Sequence, residues 1–109
     1  MKIKLAVAAA LLSASSLAIA AGDAGKGKAL YAGCSGCHGA DAMGNAALNA
    51  PRLAGQLEGY LVVQLNNFKA GIRGTADGDL GGAMMRPMAS MLADDQAVQD
   101  VAAYLASLK

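Results

Sequence analysis

The chain has 109 residues, enough for one ordinary globular domain. Nine Lys and Arg against eight Asp and Glu leave a formal charge of +1, which excludes the strong basic excess that a nucleic-acid binder needs. Two cysteines exclude a disulfide-rich scaffold, and 26 alanines with one Phe and no Trp leave few bulky side chains for a core.

Residues 1–20, MKIKLAVAAALLSASSLAIA, have the layout of a cleaved secretory signal peptide. Lys2 and Lys4 form the basic start, Leu5 to Leu12 is an unbroken apolar run, and Ala18 and Ala20 are the small residues that signal peptidase reads. A membrane anchor is the alternative. Against it, the run is short and Ser13, Ser15 and Ser16 interrupt it, whereas a span needs about 20 mostly apolar residues. The expected mature domain is therefore 21–109, exported and without a permanent membrane span, with seven basic against eight acidic residues. Only 24 of its residues are Leu, Ile, Val, Met, Phe or Tyr, and domains this small commonly add a disulfide, metal or cofactor to a marginal core.

The first predicted helix, Ala24 to Ala32, is short and spotted with glycine, and has Ala24, Leu30 and Tyr31 as its apolar side. It runs into Cys34-Ser35-Gly36-Cys37-His38, a C-x-x-C-H run of the kind that attaches c-type haem. Two thiols three residues apart can add to the two vinyl groups along one side of a porphyrin, and the histidine that follows can reach the iron from below. The covalent links would hold that histidine at very high effective concentration. Three other chemistries use a C-x-x-C pair. A thioredoxin-like redox pair needs a βαβ context, and no alternating β-branched strand is present. A zinc site needs four ligands, and the chain has no Cys or His beyond these three. A plain disulfide would leave His38 adjacent by chance. The only histidine at this position, behind a secretory leader, favours haem.

Residues 39–54 read as an irregular stretch. Leu57 to Lys69 reads as a helix, with Leu57, Tyr60, Leu61, Gln64, Leu65 and Phe68 on one face, Lys69 suited to the dipole of the last turn and Gly71 placed to end it. Residues 71–86 again read as irregular. The clearest helix is Asp94 to Leu108, striped by Val98, Val101, Ala102, Leu105 and Leu108, with Asp94 and Asp95 at its start. Loops this long are unusual in a compact domain unless they wrap a large flat cofactor. With no second histidine, methionine is the natural partner for the iron's other axial position. Met43 follows the motif too closely to reach the opposite face, and Met84, Met85, Met88 and Met91 cluster before the last helix. Spacing does not choose among those four, and Met is also an ordinary core filler.

Gly22-Asp23-Ala24-Gly25-Lys26-Gly27, Cys34 to Gly39, Pro51-Arg52-Leu53-Ala54-Gly55-Gln56, Tyr60-Leu61-Val62-Val63-Gln64-Leu65 and Ala102-Ala103-Tyr104-Leu105 together carry a resemblance. Over 22–108 the chain resembles a small monohaem class I c-type cytochrome, most like one half of the bacterial dihaem cytochromes of the c-four type. The resemblance implies an all-α class I cytochrome c fold: three main helices and long loops around one covalently bound haem c. It implies attachment through Cys34 and Cys37, iron ligation by His38, and a hydrogen bond from His38 to the Pro51 carbonyl. In the family the ligand methionine lies about seven residues before the leucine ahead of the last helix; Leu92 fills that place and points to Met85 over Met84 and Met88. Family members often carry Ser after this leucine; here Ala93 stands there, so capping falls to Asp94 or Asp95. Gly27 and Tyr31 match the contact where the first helix crosses the last near Tyr104.

An iron filled by His38 and Met85 has no open site, so the implied role is electron transfer, not catalysis. The implied protein shuttles single electrons in the bacterial periplasm between transiently docked redox-protein donors and acceptors. A cytochrome subunit of a larger oxidoreductase is the alternative, and a haem-free thiol or metal module is a further one. The oligomeric state stays open. Lys69, Arg73 and Arg86 read as solvated surface cations.

Overall fold

A computed structural model describes Lys4 and residues 21–109, so the predicted leader, Lys4 apart, lies outside the described residues. Five α-helical segments and one 3-10 turn make up the regular structure of the described residues. The described residues contain no β-strand, only an isolated antiparallel bridge between Asn45 and Ala50. None of their helices is long and apolar enough to cross a membrane.

Helix α1 (Ala24–Tyr31) starts where the Asp23 carboxylate accepts the Lys26 N–H at 3.1 Å. It lies against the last helix, α5 (Asp95–Ser107), and glycine sets how closely they approach. A Cβ on Gly27 would sit 1.9 Å from the Asp100 carbonyl oxygen, and one on Gly22 would sit 2.1 Å from that of Gln99. Beside Gly27, the Tyr31 and Tyr104 rings meet at 5.6 Å between centroids, tilted by 49°. The buried Asp100 carboxylate takes the Asp23 N–H at 2.8 Å and the Gln96 amide at 2.9 Å, which ties the start of α1 to α5. Those two bonds, the first the larger, hold its pKa below the ordinary 3.8 despite the opposing effect of burial.

Helix α2 (Ser35–His38) is a single turn that carries the C-x-x-C-H run. The stretch that follows is ordered by its own backbone. Asn45 and Ala50 exchange N–H···O bonds at 2.9 and 3.0 Å around a 3-10 turn (Ala46–Leu48), and Leu53 and Ala54 both donate to the Ala42 carbonyl.

Helix α3 (Glu58–Lys69) buries Leu61 and Phe68 and packs on α5 and α4. Its apolar face is narrower than the spacing predicts. Leu57 is the N-cap and lies outside the helical register, and both Leu57 and Tyr60 are exposed.

The largest departure is helix α4 (Leu80–Ser90), which occupies much of the stretch that reads as irregular in sequence. Asp79 caps it by accepting the Gly82 N–H at 2.8 Å, which offsets the poor helix propensity of Gly81, Gly82 and Pro87. Helix α5 is capped by Asp94, whose carboxylate accepts the Ala97 N–H at 2.8 Å, and it buries Val98, Val101, Ala102 and Leu105. The core joins these residues to Tyr31, Ala42, Ala54, Leu61 and Leu92.

Candidate functional site

The chain turns sharply after α1. The Cys34 N–H bonds the Tyr31 carbonyl at 2.8 Å, and the His38 N–H bonds the Cys34 carbonyl at 3.1 Å. One helical turn therefore carries Cys34, Cys37 and His38 at i, i+3 and i+4, a spacing that places all three side chains on one flank. Both cysteines are free thiols; Cys34 is half-buried and Cys37 exposed. Burial, and then the neighbouring Cys37, push the Cys34 pKa up.

His38 is buried and held from three sides. Its backbone N–H is bonded within α2, its carbonyl accepts the Gly44 N–H at 2.8 Å, and its ring Nδ1 lies 2.8 Å from the Pro51 carbonyl oxygen. A carbonyl only accepts, so Nδ1 carries a proton, and in the neutral imidazole Nε2 keeps its lone pair. Gly44 (φ +88°) lets Pro51 come this close, because a Cβ there would lie 2.8 Å from the Ala50 oxygen and the Arg52 nitrogen. The buried Tyr31 hydroxyl donates to the Gly39 carbonyl one residue past His38. Burial, and next the charge of Cys34, raise the Tyr31 pKa to about 12, so the phenol stays a donor.

The methionines divide by exposure. Met84 and Met91 are 66% and 69% exposed, and Met43 is also exposed, whereas Met85 and Met88 are half-buried on α4. A cavity of about 230 Å³ brings Met88, Met91 and Leu92 together with Leu30, Gly33 and Cys34; Met85 does not line it. The donor set fits a covalently held haem. Two free thiols share one turn with an imidazole whose Nδ1 is already engaged, and half-buried thioethers lie on a separate helix.

Two basic residues that read as solvated in sequence are engaged. Lys69 Nζ donates to the Leu92 carbonyl at 2.7 Å, and Arg73 lies 4.5 Å from the centroid of the Phe68 ring while bonding Gln64 Oε1 at 2.8 Å. The Lys69 partner is a backbone atom 23 residues away, so no sequence signal marks it.

The family model described as "Cytochrome c" matches residues 24–109. The chain is 44% identical over 101 residues to cytochrome c4 of Azotobacter vinelandii, covering 90% of this chain and 47% of the relative. It is 43% identical over 75 residues to a thiosulfate dehydrogenase electron acceptor of Stutzerimonas stutzeri, covering 69% of this chain and 31% of that one. The crystal structure of reduced recombinant cytochrome c4 from Pseudomonas stutzeri superposes with a TM-score of 0.69 at 30% identity, over 83% of this chain and 53% of that one. The chain thus spans about half the length of the cytochromes c4 that it matches.

The chain belongs to the cytochrome c family. Its mostly helical architecture is the cytochrome c fold, and a domain of this family carries covalently bound haem c.

Proposed function

We propose that the protein is a periplasmic single-electron carrier. In this reading Cys34 and Cys37 form the thioether links to one haem c, His38 Nε2 is the first axial ligand and Met85 Sδ the second. The observation that carries it is the His38 Nδ1–H bond to the Pro51 carbonyl at 2.8 Å, which fixes the ring and its tautomer and leaves Nε2 as the donor. Haem c, when bound, supplies a one-electron iron couple. The chain's own residues would do the rest: His38 and a methionine would hold the iron, and apolar surroundings would disfavour its charged ferric state. The basic, apolar and small-residue layout of 1–20 supports export, with 21–109 as the mature domain.

Acid extraction followed by absorption spectroscopy tests the attachment, because pigment should stay with the polypeptide and be lost in a Cys34→Ala/Cys37→Ala variant. A wild type that releases all its haem refutes the reading. Met85→Ala should lower the reduction potential and open the ferric iron to imidazole. An unchanged potential moves the role to Met84 or Met88, the other thioethers on α4.

The match to a thiosulfate dehydrogenase electron acceptor supports a second reading, the same haem domain as the cytochrome partner of an oxidoreductase. Co-purification with a catalytic subunit would favour it; a stable, reducible monomer isolated alone would favour the free carrier. As a free carrier it would meet donors and acceptors by transient docking over small interfaces.

A further inference from the structure

We propose that Lys69 is a positioning residue for the methionine ligand, its ammonium holding α4 closed against the end of α3. The inference rests on the reading of α4 as the helix that supplies the sixth ligand.

Lys69 is half-buried in the last turn of α3, and its Nζ reaches the Leu92 carbonyl at 2.7 Å. Leu92 is the first residue beyond Met91, the C-cap of α4. There α4 tightens, with Met91 N–H on the Met88 carbonyl at 3.2 Å and Leu92 N–H on that of Ala89 at 3.1 Å. The Leu92 carbonyl follows the C-cap, at the negative end of the helix dipole, where an ammonium is a favoured partner. A charged donor on a carbonyl removed from bulk water is stronger than an exposed one.

This restraint matters because α4 is weak inside. Pro87 falls between Met85 and Met88 and has no N–H to offer the Ala83 carbonyl, so the helix's own ladder is broken between the two half-buried methionines. Gly81 and Gly82 weaken its first turns as well. The position of α4 therefore depends on what grips its two ends. At the start these are the Asp79 cap and the close seating of Gly74 (φ +87°) under Gly82, where a Cβ would lie 2.4 Å from the Gly82 oxygen. At the finish they are the buried Leu92 side chain and Lys69. Leu92 sets the depth of that end in the core; Lys69 orients its peptide and ties it to α3. Both Met85 and Met88 lie between the two anchors. Without the ammonium, the C-terminal end of α4 keeps its packing on α3 but loses its charged tie to that helix, and the methionine leaves the iron more often.

The experiment uses ferric holoprotein and three readouts: the far-red methionine-to-iron charge-transfer band, imidazole titration and thermal melting. Lys69→Met, which keeps the apolar stem and loses the ammonium, should bind imidazole about ten-fold more tightly, the size expected from losing one charged hydrogen bond. Its far-red band should weaken well below the melting temperature. Lys69→Arg, with a long stem and N–H donors, should restore both. If Lys69→Met does not mature as holoprotein, Lys69→Gln carries the same expectation. Wild-type imidazole affinity in either neutral variant overturns the role, and so does a lower melting temperature with unchanged affinity, the mark of a purely structural contact. A band missing from the wild type, or one that survives in each of Met84→Ala, Met85→Ala and Met88→Ala, overturns the methionine reading and this role with it. That pattern is distinct from an intact band in Lys69→Met alone.

Discussion

Asp100 shows how one buried carboxylate couples stability to pH. Its ionised form is held by the Asp23 N–H and the Gln96 amide, so its folded pKa lies below the ordinary 3.8. A group depressed in this way adds stability that is complete above its unfolded value and is lost as pH falls through the folded one. The melting temperature should therefore fall below about pH 4 as α1 loses its tie to α5. In Asp100→Asn the neutral-pH melting temperature should drop and this acid limb should flatten; an unaltered acid limb would assign the acid sensitivity to other carboxylates. Such long-range pairs are the part of the molecule least legible in sequence. Cys34, Cys37 and His38 are legible because their chemistry is packed into five consecutive residues. Asp100 and Lys69 are not, because each bonds a backbone atom of a distant segment, and a backbone atom has no residue-type signature. The choice among Met84, Met85, Met88 and Met91 stays open to spacing for a related reason, since four thioethers in eight residues present the same donor. Only the resemblance, through the place of Leu92, singles out Met85 among them.

Among the helices, α1, α3 and α5 are read from sequence to within a residue or two, and in α5 the Asp94 cap and the apolar stripe agree. Helix α4 is hidden because Gly81, Gly82 and Pro87 speak against a helix, and the Asp79 cap and tertiary packing outweigh them. The α1–α5 crossing reverses the usual value of a glycine in a helix. By propensity alone, Gly27→Ala should stabilise α1 by about 0.5–1 kcal/mol. In the folded protein the new Cβ would lie 1.9 Å from the Asp100 oxygen and 2.8 Å from the Tyr104 Cβ, and the first of these is backbone that cannot rotate away. The steric cost wins, so Gly27→Ala should destabilise by about 1–3 kcal/mol or more and lower the melting temperature by several degrees. Gly59→Ala on α3 is the control. Nothing lies within 4 Å of its Cβ, so the melting temperature should hold or rise slightly. Equal losses at both positions would refute close approach as the reason for glycine at 27.

On the scale of the whole molecule, the shortage of bulky apolar side chains and their placement point the same way. The largest fully buried side chains among the described residues are two valines, Val98 and Val101. Meanwhile Leu57, Ile72 and Leu80 are 74%, 74% and 78% exposed, joined by Tyr60, Met84 and Met91. Protein contacts alone leave that apolar surface uncovered, and a domain of this size has little stability in reserve. A group that binds the folded state and not the unfolded one supplies the missing free energy by linkage, and a covalent bond keeps its local concentration high whatever the solution holds. Residues 21–109 made without haem, as Cys34→Ser/Cys37→Ser, should therefore show weak helical circular dichroism and no cooperative melt. The holoprotein should melt sharply. The comparison separates two accounts of the alanine-rich composition, because small residues that pack a self-sufficient bundle would fold without the cysteines. Residues that only shape a shell around a porphyrin would not. A cooperative transition in the double variant, close to that of the holoprotein, would refute the shell and leave haem c as an addition to a finished core.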